Sequence, residues 1–323
     1  MTEDSLLLGV DVGGTSISAG IVTREGRVVA QERTPTHRDG PGSAIETIIG
    51  LITRLRASAE ASGASVAGIG VGVPGPVNTV TGRIGEHVPH VPELVRQPLA
   101  AMLTDRFGLP AFVDNDCNAL ALGEWMFGAG RGSRSMVLLA PGTGFGAGIV
   151  LEGRLLRGEG GFGGELGHTP VKFDGPPCWC GGRGCLALYA SGRGITDAAR
   201  ARASEALLAM AGGNAAGITA ALVFRAAAAG EAVAAAIVAD AVQSLGAMVG
   251  TVVNALNPEV VVITGGVVAS FALLETRVLA AAREYAFADG LAATRIVIVP
   301  GDKSITMRGA AALVAYEREL RRG

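Results

Sequence analysis

Apolar residues along this chain fall into short continuous runs, separated by longer stretches with helical spacing. Residues 66–73 (Val-Ala-Gly-Ile-Gly-Val-Gly-Val) are typical of a buried strand, whereas residues 44–59 repeat isoleucine and leucine at the spacing of a helix face. Residues 192–256 are rich in alanine and predict several helices. The other predicted strands are residues 6–10, 17–22, 111–113, 135–140, 149–151, 258–264 and 291–299, and the other predicted helices are residues 119–127 and 305–320.

Two pairs of predicted strands are joined by turns of glycine and threonine. Residues 11–15 (Asp-Val-Gly-Gly-Thr) follow the first strand, and residues 141–148 (Pro-Gly-Thr-Gly-Phe-Gly-Ala-Gly) follow the strand at 135–140. Backbone N–H groups in such turns bind anions, and Asp11 can hold a metal ion through water. Taken singly, each turn is equally well explained as an ordinary hairpin. Two of them, one in each half of the chain, indicate a duplicated fold.

Three other strands also end in unusual turns. The strand at 66–73 enters Pro74-Gly75-Pro76, at the strand end where open α/β folds bind ligands. The strand at 111–113 enters residues 114–118 (Asp-Asn-Asp-Cys-Asn), and four polar residues exceed the single N-cap that the following helix needs. The strand at 258–264 enters Gly265-Gly266, a turn that commonly faces a nucleotide. These turns predict a ligand site.

Three of the four cysteines share one glycine-rich stretch with a histidine. Cys178, Cys180 and Cys185 follow His168, and three thiolates with one imidazole suit tetrahedral Zn2+ better than Mg2+ or Ca2+. The alternative is three buried cysteines beside an unrelated histidine, but the stretch lacks an apolar periodic face. We predict a structural zinc site, because a Cys3His set leaves no coordination position open for a catalytic water. The fourth cysteine, Cys117, is interpreted as a packing residue.

Composition excludes several classes of protein. With 323 residues, 49% of them hydrophobic, the chain is long enough for two domains and is not disordered. A net charge of -2 and a pI near 6.1 give no electrostatic basis for binding nucleic acid or an anionic membrane. Lys172 and Lys303 are its only lysines, so we expect no P-loop. Residues 1–5 lack a basic signal region, and the apolar runs at 232–253 and 260–268 are short or interrupted by polar residues, which predicts a cytoplasmic protein.

The motifs together resemble those of the ROK-family sugar kinases. In chain order they are DVGGT (11–15), VPGPVN (73–78), VDNDCN (113–118), GTGFGAG (142–148), GGELGH (163–168) and CWCGGRGC (178–185). The resemblance implies an actin-like ATPase fold, of the ribonuclease H-like and hexokinase-like type, with two α/β domains around a cleft. It implies a small domain of residues 1–118, completed by a C-terminal helix at 304–323, and a large domain of residues 119–303 that carries the zinc loop.

The resemblance also implies an activity. Such kinases phosphorylate a hexose or an amino or otherwise modified hexose at its 6-hydroxyl, with ATP and Mg2+, and we expect a homodimer. Some family members are transcriptional repressors with a helix-turn-helix ahead of the DVGGT strand, for which we expect no room here because that strand begins at Leu6. A sugar-sensing or degenerate, non-catalytic protein is the alternative to an enzyme.

Residue roles follow from the same resemblance. Asp116 is expected to be the general base that takes the proton from the sugar hydroxyl. Sugar contacts are expected from Gly75, Asn78, His90, Asn115, Asp116, Glu165 and His168. Nucleotide and Mg2+ contacts are expected from Asp11, Gly13, Gly14, Thr15, Gly142, Thr143, Gly144, Gly265 and Gly266, and zinc ligands from His168, Cys178, Cys180 and Cys185.

Three positions depart from the family pattern. Ala187 stands where the family usually has a sugar-contacting Glu, and a charge-assisted hydrogen bond is worth roughly 1.5–3 kcal/mol. His90 stands where Asn is usual, and we expect it to supply a compensating contact. Ser16 stands where Lys or Asn is usual, with no evident consequence in the sequence. The loss of the Glu predicts a substrate that differs from glucose at C1, C2 or C3.

Overall fold

The computed structural model describes residues 5–88, 90–302 and 304–320, and in these ranges two five-stranded sheets carry most of the strands. The first sheet has the order β3-β2-β1-β4-β7 and the second β10-β9-β8-β11-β12. The strands are β1 (Leu6–Val12), β2 (Ser16–Val22), β3 (Val28–Pro35), β4 (Val66–Val73), β5 (Val77–Asn78), β6 (Arg83–Ile84), β7 (Ala111–Asn115), β8 (Met136–Pro141), β9 (Phe145–Leu151), β10 (Arg154–Leu155), β11 (Val260–Ile263) and β12 (Arg295–Ile298).

The two sheets repeat one arrangement, as the two glycine-threonine hairpins predict. Strand β1 is antiparallel to β2 on one side and parallel to β4 on the other. Strand β8 is likewise antiparallel to β9 and parallel to β11. The two hairpin turns therefore hold equivalent positions, each at the carboxyl end of a central buried strand.

Helices cover the sheets and fill the space between them. One shared apolar core is formed by strands β1, β8 and β11 together with helices α3 (Asp116–Phe127) and α12 (Ile305–Leu320), so these two helices lie between the two sheets. Helix α1 (Ala44–Ala61) packs on the first sheet, and helices α7 (Ala220–Ala228) and α8 (Ala232–Leu256) belong to the core of the second. The helices are α1 (Ala44–Ala61), α2 (Leu99–Phe107), α3 (Asp116–Phe127), α4 (Ala187–Ala190), α5 (Gly192–Ala201), α6 (Glu205–Met210), α7 (Ala220–Ala228), α8 (Ala232–Leu256), α9 (Val268–Ala272), α10 (Glu275–Tyr285), α11 (Ala288–Ala293) and α12 (Ile305–Leu320).

Several element bounds differ from the sequence prediction. Strand β3 was not predicted, because its residues alternate between half-buried and exposed positions at the edge of the sheet. Helix α3 begins at Asp116 rather than near residue 119, because Asn115 is its N-cap. The strand predicted at 291–299 begins at Arg295, since α11 occupies the residues before it. The proposed domain boundary at 118 falls within α3, and the division into domains stays a prediction; Lys303 lies outside the described residues.

Helix α8 is long and apolar enough to cross a membrane, contrary to the prediction from its polar residues. It has 25 residues and a mean hydropathy of 1.7 over its most apolar window. More than half of that window, 56%, is buried inside the fold. A buried core helix meets the same criteria, so α8 carries little weight as a membrane span.

Helix α12 approaches the first sheet through glycines. A Cβ atom on Gly9 would overlap the carbonyl oxygen of Met307, and one on Gly70 would overlap that of Ala310. These two glycines lie on the adjacent strands β1 and β4 and are paired in register. They let the helix backbone rest on the strand backbones without intervening side chains.

We expect Gly70→Ala to lower the free energy of unfolding by about 1–3 kcal/mol, because the added methyl group must displace α12. Gly50→Ala is the matched control, since Gly50 lies in α1 and its nearest neighbour to an added Cβ is the flexible Arg54 side chain at 3.4 Å. That control should be neutral or stabilising by up to about 1 kcal/mol. Urea unfolding measures both, and equal effects of the two substitutions would contradict the close packing of α12.

Candidate active site and metal loop

The polar residues in the turn between β7 and α3 have different structural roles. Asp114 is 1% exposed, and its Oδ1 accepts hydrogen bonds from the backbone N–H of Asn115 (2.8 Å) and from Asn118 Nδ2 (2.9 Å). The Asn115 Oδ1 accepts from the N–H of Cys117 (2.8 Å), which caps α3, while its Nδ2 donates to the carbonyl of Gly75 (3.0 Å). The turn after β4 is thereby tied to the start of α3.

Asp116 opens α3 in the gap between the two sheets. A Cβ on Gly72 of the first sheet would lie 3.4 Å from the Cα of Asp116. On the other side, a Cβ on Gly146 of β9 would overlap the sulfur of Cys117. Glycine on both strands therefore makes room for the helix terminus. Cys117 is a packing residue here, and burial raises the pKa of its thiol well above the ordinary value.

Three carboxylates gather around this helix terminus. Burial raises the pKa of Asp116 to about 6; hydrogen bonds from the thiol and from the N–H of Cys117 oppose that shift, and the charge of the exposed Glu165 adds to it. Burial, and then the charge of Asp116, raise the pKa of Asp11 to about 7, against a smaller opposing effect of Arg33. A carboxylate with a pKa near neutrality is suited to accept and release a proton at physiological pH.

The raised pKa values predict a pH dependence. If Asp116 is a general base, kcat/KM should fall by about tenfold per pH unit below pH 6, because the base must be ionised. The same shifts affect stability, because folded Asp11 and Asp116 keep their protons up to about pH 7 and about pH 6, whereas in the unfolded chain both release them at the ordinary pKa of 3.8. Their contribution to the free energy of unfolding is therefore lost as the pH rises from about 4 to about 7. A profile of kcat/KM from pH 5 to 8 checks the expected fall in activity, and a flat profile would remove Asp116 as the base.

The first glycine-threonine turn is braced from one side and covered from the other. Thr36 Oγ1 donates to the carbonyl of Gly13 (2.6 Å), and the Thr36 N–H donates to the carbonyl of Thr15 (3.1 Å). A Cβ on Gly14 would lie 2.6 Å from the Cβ of His90, so His90 packs directly on the turn. His90 has a φ of 66°, a left-handed conformation that Asn and His adopt more readily than most residues. This backbone requirement explains why Asn is usual at the position and why His is tolerated.

Ser16 makes hydrogen bonds that the sequence alone does not predict. Its Oγ accepts hydrogen bonds from both Nε (3.0 Å) and Nη2 (2.8 Å) of Arg33. Arg33 is directly opposite Ser18, and Ser18 is directly opposite Asp11, so Asp11 and Arg33 stand on one face of the sheet. Ser16 thus holds a guanidinium close enough to Asp11 to affect its pKa.

The second glycine-threonine turn borders a cavity of about 470 Å³. The carbonyl of Gly142 accepts from the N–H of Gly192 (2.8 Å), and the carbonyl of Thr143 accepts from the N–H of Arg193 (3.0 Å), which ties the turn to the start of α5. Gly266 also lines the cavity, so two of the stretches predicted to bind nucleotide border the same space. Further lining side chains, not predicted from the sequence, are Arg193, Thr196, Asp197 and Arg200 on one face of α5 and Thr219 before α7.

The predicted zinc ligands come together in space. One ligand atom from each of His168, Cys178, Cys180 and Cys185 lies within 4.8 Å of the others. Cys178 Sγ lies 3.6 Å from His168 Nδ1, and the sulfurs of Cys180 and Cys185 are 3.7 Å apart. Zinc bonds of 2.0–2.3 Å in a tetrahedron place the ligand atoms about 3.5–3.8 Å apart, and these two pairs have that separation.

The thiols of this loop differ in their acidity. Burial, followed by the neighbouring thiols of Cys178 and Cys180, raises the pKa of the Cys185 thiol to about 12. Burial is the largest single influence on the Cys180 thiol and raises its pKa, but the hydrogen bonds from the N–H of Gly182 and from the neighbouring thiols together outweigh it, so the pKa lies below its ordinary value. A divalent cation among the three sulfurs would favour all the thiolates, since metal binding displaces their protons.

Asn78 and Ala187, two other positions discussed from the sequence, make their contacts outside the carboxylate cluster. Asn78 Oδ1 accepts from the N–H of Thr81 (3.0 Å), a contact within the β5–β6 hairpin. Ala187 is 1% exposed at the start of α4 and packs in the apolar core of the second sheet. Ser191 Oγ donates a hydrogen bond to the carbonyl of Ala187 (2.6 Å). The structure therefore gives the side chain of Ala187 no polar contact and little open space.

Comparison with known proteins agrees with this geometry. A sequence profile described as the ROK family matches residues 7–317. A glucokinase of Halalkalibacterium halodurans is 39% identical over 272 residues, covering 82% of this chain and 81% of the relative. A xylose repressor of Caldicellulosiruptor bescii is 31% identical over 262 residues, covering 80% of this chain but only 65% of the repressor.

A solved structure shares the fold over the whole chain. The crystal structure of a ROK family glucokinase from Streptomyces griseus, in complex with glucose and AMPPNP, aligns with a TM-score of 0.77 and 29% identity. The alignment covers 99% of this chain and 100% of that one. The expected actin-like ATPase fold is thereby confirmed.

Proposed function

The chain belongs to the ROK family, and on this basis we propose that it transfers the γ-phosphoryl group of ATP to the 6-hydroxyl of a hexose or a modified hexose. The observation that carries the proposal is Asp116, a carboxylate with a pKa of about 6 at the terminus of α3, in the gap between the two sheets. Similarity to a glucokinase over four fifths of both chains supports the same activity.

The site residues account for the reaction as follows. Asp116 accepts the proton of the attacking sugar hydroxyl, which then displaces ADP in line from the γ-phosphorus. The turn at Gly13, Gly14 and Thr15 and the turn at Gly142, Thr143 and Gly144 hold the phosphates, and Gly265 and Gly266 lie beside the adenosine. The N–H groups of Gly13 and Gly142 donate to carbonyls within their own turns, so the other backbone N–H groups of the turns bind the phosphate oxygens. Asp11 would hold Mg2+ through water, where the ion neutralises phosphate charge. Asn115, Glu165, His168, Asn78, His90 and the backbone of Gly75 are proposed to bind the sugar.

A coupled assay of ADP release over a panel of hexoses and amino sugars tests this function. We expect release that depends on the sugar. The xylose repressor similarity favours one alternative, a sugar-sensing protein without turnover, which predicts sugar binding without ADP release. The intact Asp116 argues for the enzyme, because a protein without turnover does not need a base at that position.

We propose that the preferred sugar differs from glucose at C1, C2 or C3. The proposal rests on Ala187, which replaces the carboxylate usual at this position and has no polar side chain to offer. Loss of such a contact weakens binding of its hydroxyl partner on the order of 10- to 100-fold. The same panel tests this point separately, since a clear preference for unmodified glucose would contradict it.

The zinc ion is proposed to be structural and to hold the loop against the sugar. His168 Nδ1 is the nitrogen beside Cys178, so a metal bound there fixes the imidazole ring and its tautomer. We expect removal of zinc with a chelator to weaken sugar binding by about tenfold or more and restored zinc to recover it. Zinc content should be one ion per chain, and Cys117→Ser, outside the ligand set, should retain it. Unchanged sugar affinity after complete zinc removal would contradict this role.

Family resemblance also leads us to propose a cytoplasmic homodimer that binds neither nucleic acid nor membrane. Light scattering on the purified protein tests the assembly, because the measured mass should be twice the 32.5 kDa of one chain. A mass equal to one chain would contradict it.

A further inference from the structure

Trp179 lies between two of the zinc ligands and contacts a third. It separates Cys178 from Cys180 in the sequence, and its ring meets the His168 ring edge to face, with centroids 6.1 Å apart and planes at 88°. The side chain is 44% exposed, so burial alone does not hold the indole in place. The position of the Trp179 indole therefore depends on its other contacts.

That other contact is Arg193, which belongs to the cavity beside the second glycine-threonine turn. The guanidinium lies 4.6 Å from the centre of the Trp179 ring, and the Arg193 N–H donates to the carbonyl of Thr143. Its main ionic partner is Asp197, at 3.5 Å, and both side chains are more than half exposed. An exposed ion pair of this kind is weak, so Arg193 remains available to an anion in the cavity.

The second arginine of the cavity is held in a different way. Arg200 donates to the carbonyls of Ala215 (3.1 Å), Ala216 (3.0 Å) and Ile218 (3.1 Å), which fixes the segment before α7. Its guanidinium is occupied by the protein itself. Of the two arginines that line the cavity in the described residues, Arg193 is the one that joins the cavity to the metal loop.

We propose that Arg193 and Trp179 are positioning residues that couple nucleotide binding to sugar binding. This inference rests on the proposed function. A nucleotide phosphate in the cavity orders the Arg193 guanidinium over the Trp179 ring, and Trp179 in turn orders His168 and the loop that carries the sugar contacts. Each ligand then binds to a loop that the other has already ordered, and by thermodynamic linkage the effect is reciprocal.

The test measures sugar affinity with and without AMPPNP and Mg2+, by calorimetry, with glucose and glucosamine as probes. In the native protein AMPPNP should tighten sugar binding by about two- to fivefold, the factor that an exposed cation–π contact provides. Arg193→Met and Trp179→Phe should each reduce that factor toward one, and the double variant should do no more than either. Arg193→Lys, which retains a cation, should recover part of it. Arg202→Met, which removes an exposed arginine at the end of α5, should leave the factor unchanged.

Tryptophan fluorescence supplies an independent readout, because the chain has only Trp125 and Trp179. AMPPNP should change the emission of the native protein saturably, and the change should be absent in Trp179→Phe and in Arg193→Met. If AMPPNP binds and sugar affinity is the same with and without it, the coupling is overturned while the proposed function stands. If neither AMPPNP nor ATP binds at all, the proposed function itself is overturned, and the coupling with it.

Discussion

Asp116→Asn should lower turnover by about 10²- to 10⁴-fold, while sugar affinity remains close to that of the native protein. The amide has nearly the same shape as the carboxylate, and its oxygen can still accept from the N–H of Cys117, which is 2.8 Å from Asp116 Oδ1. The start of α3 is preserved because its cap is Asn115 rather than Asp116. What is lost is the capacity to take a proton.

The measurement pairs kcat from ADP release with a sugar dissociation constant from calorimetry. Asp105→Asn, an exposed aspartate in α2, is the matched control and should leave both quantities unchanged. The residual activity of Asp116→Asn should also lose the dependence on pH near 6 that the native carboxylate confers. Turnover within a few-fold of native in a folded Asp116→Asn protein would remove Asp116 from its proposed role.

Arg157→Met should lower the free energy of unfolding by about 3–5 kcal/mol, because it leaves a buried carboxylate without its partner. Arg157 Nε donates to Asp114 Oδ2 at 2.8 Å, and Nη2 donates to Glu317 Oε1 at 2.5 Å. Its guanidinium also lies 5.5 Å from the centre of the Tyr316 ring. Burial lowers the pKa of Arg157, but the charges of Asp114 and Glu317 outweigh that effect and raise it.

Two further variants separate loss of the ion pair from general disruption of the fold. Arg154→Met removes an exposed arginine from β10, three residues away, and should be close to neutral. Asp114→Asn with Arg157→Met removes both charges, so it should be less destabilised than Arg157→Met alone. Since Asp114 also braces Asn115, Arg157→Met should lower kcat as well. Urea unfolding decides the matter, and equal losses in the Arg154 and Arg157 variants would contradict the buried pair.

The sequence is informative about residues that act through their neighbours along the chain. The surplus of polar residues at 114–118 predicts a site because one helix needs one N-cap, and the structure assigns that cap to Asn115. The cysteine spacing predicts a metal set, and its four ligand atoms do converge. Helix α12 has the predicted bounds, since its apolar face follows a regular helical period.

The sequence does not show interactions between residues that are far apart along the chain. Arg157 is 43 residues from Asp114 and 160 from Glu317, so no local pattern links them. The sequence does not link Ser16 to its partner, because Arg33 is one of the charged residues of an edge strand and nothing local singles it out. The surrounding alanines obscure the polar face of α5, although the spacing of residues 193, 196, 197 and 200 is that of one helix face and is a signal that can identify it.

The position of α12 has a consequence for the synthesis of the protein. Strands β1 and β4 are made early, yet the helix that covers Gly9 and Gly70 comes from residues 305–320, which are made long after both strands. Until residues 305–320 leave the ribosome, the nascent chain must keep this apolar surface of its first sheet uncovered. Chains that terminate early expose the same surface permanently and should therefore be prone to aggregation and to chaperone capture.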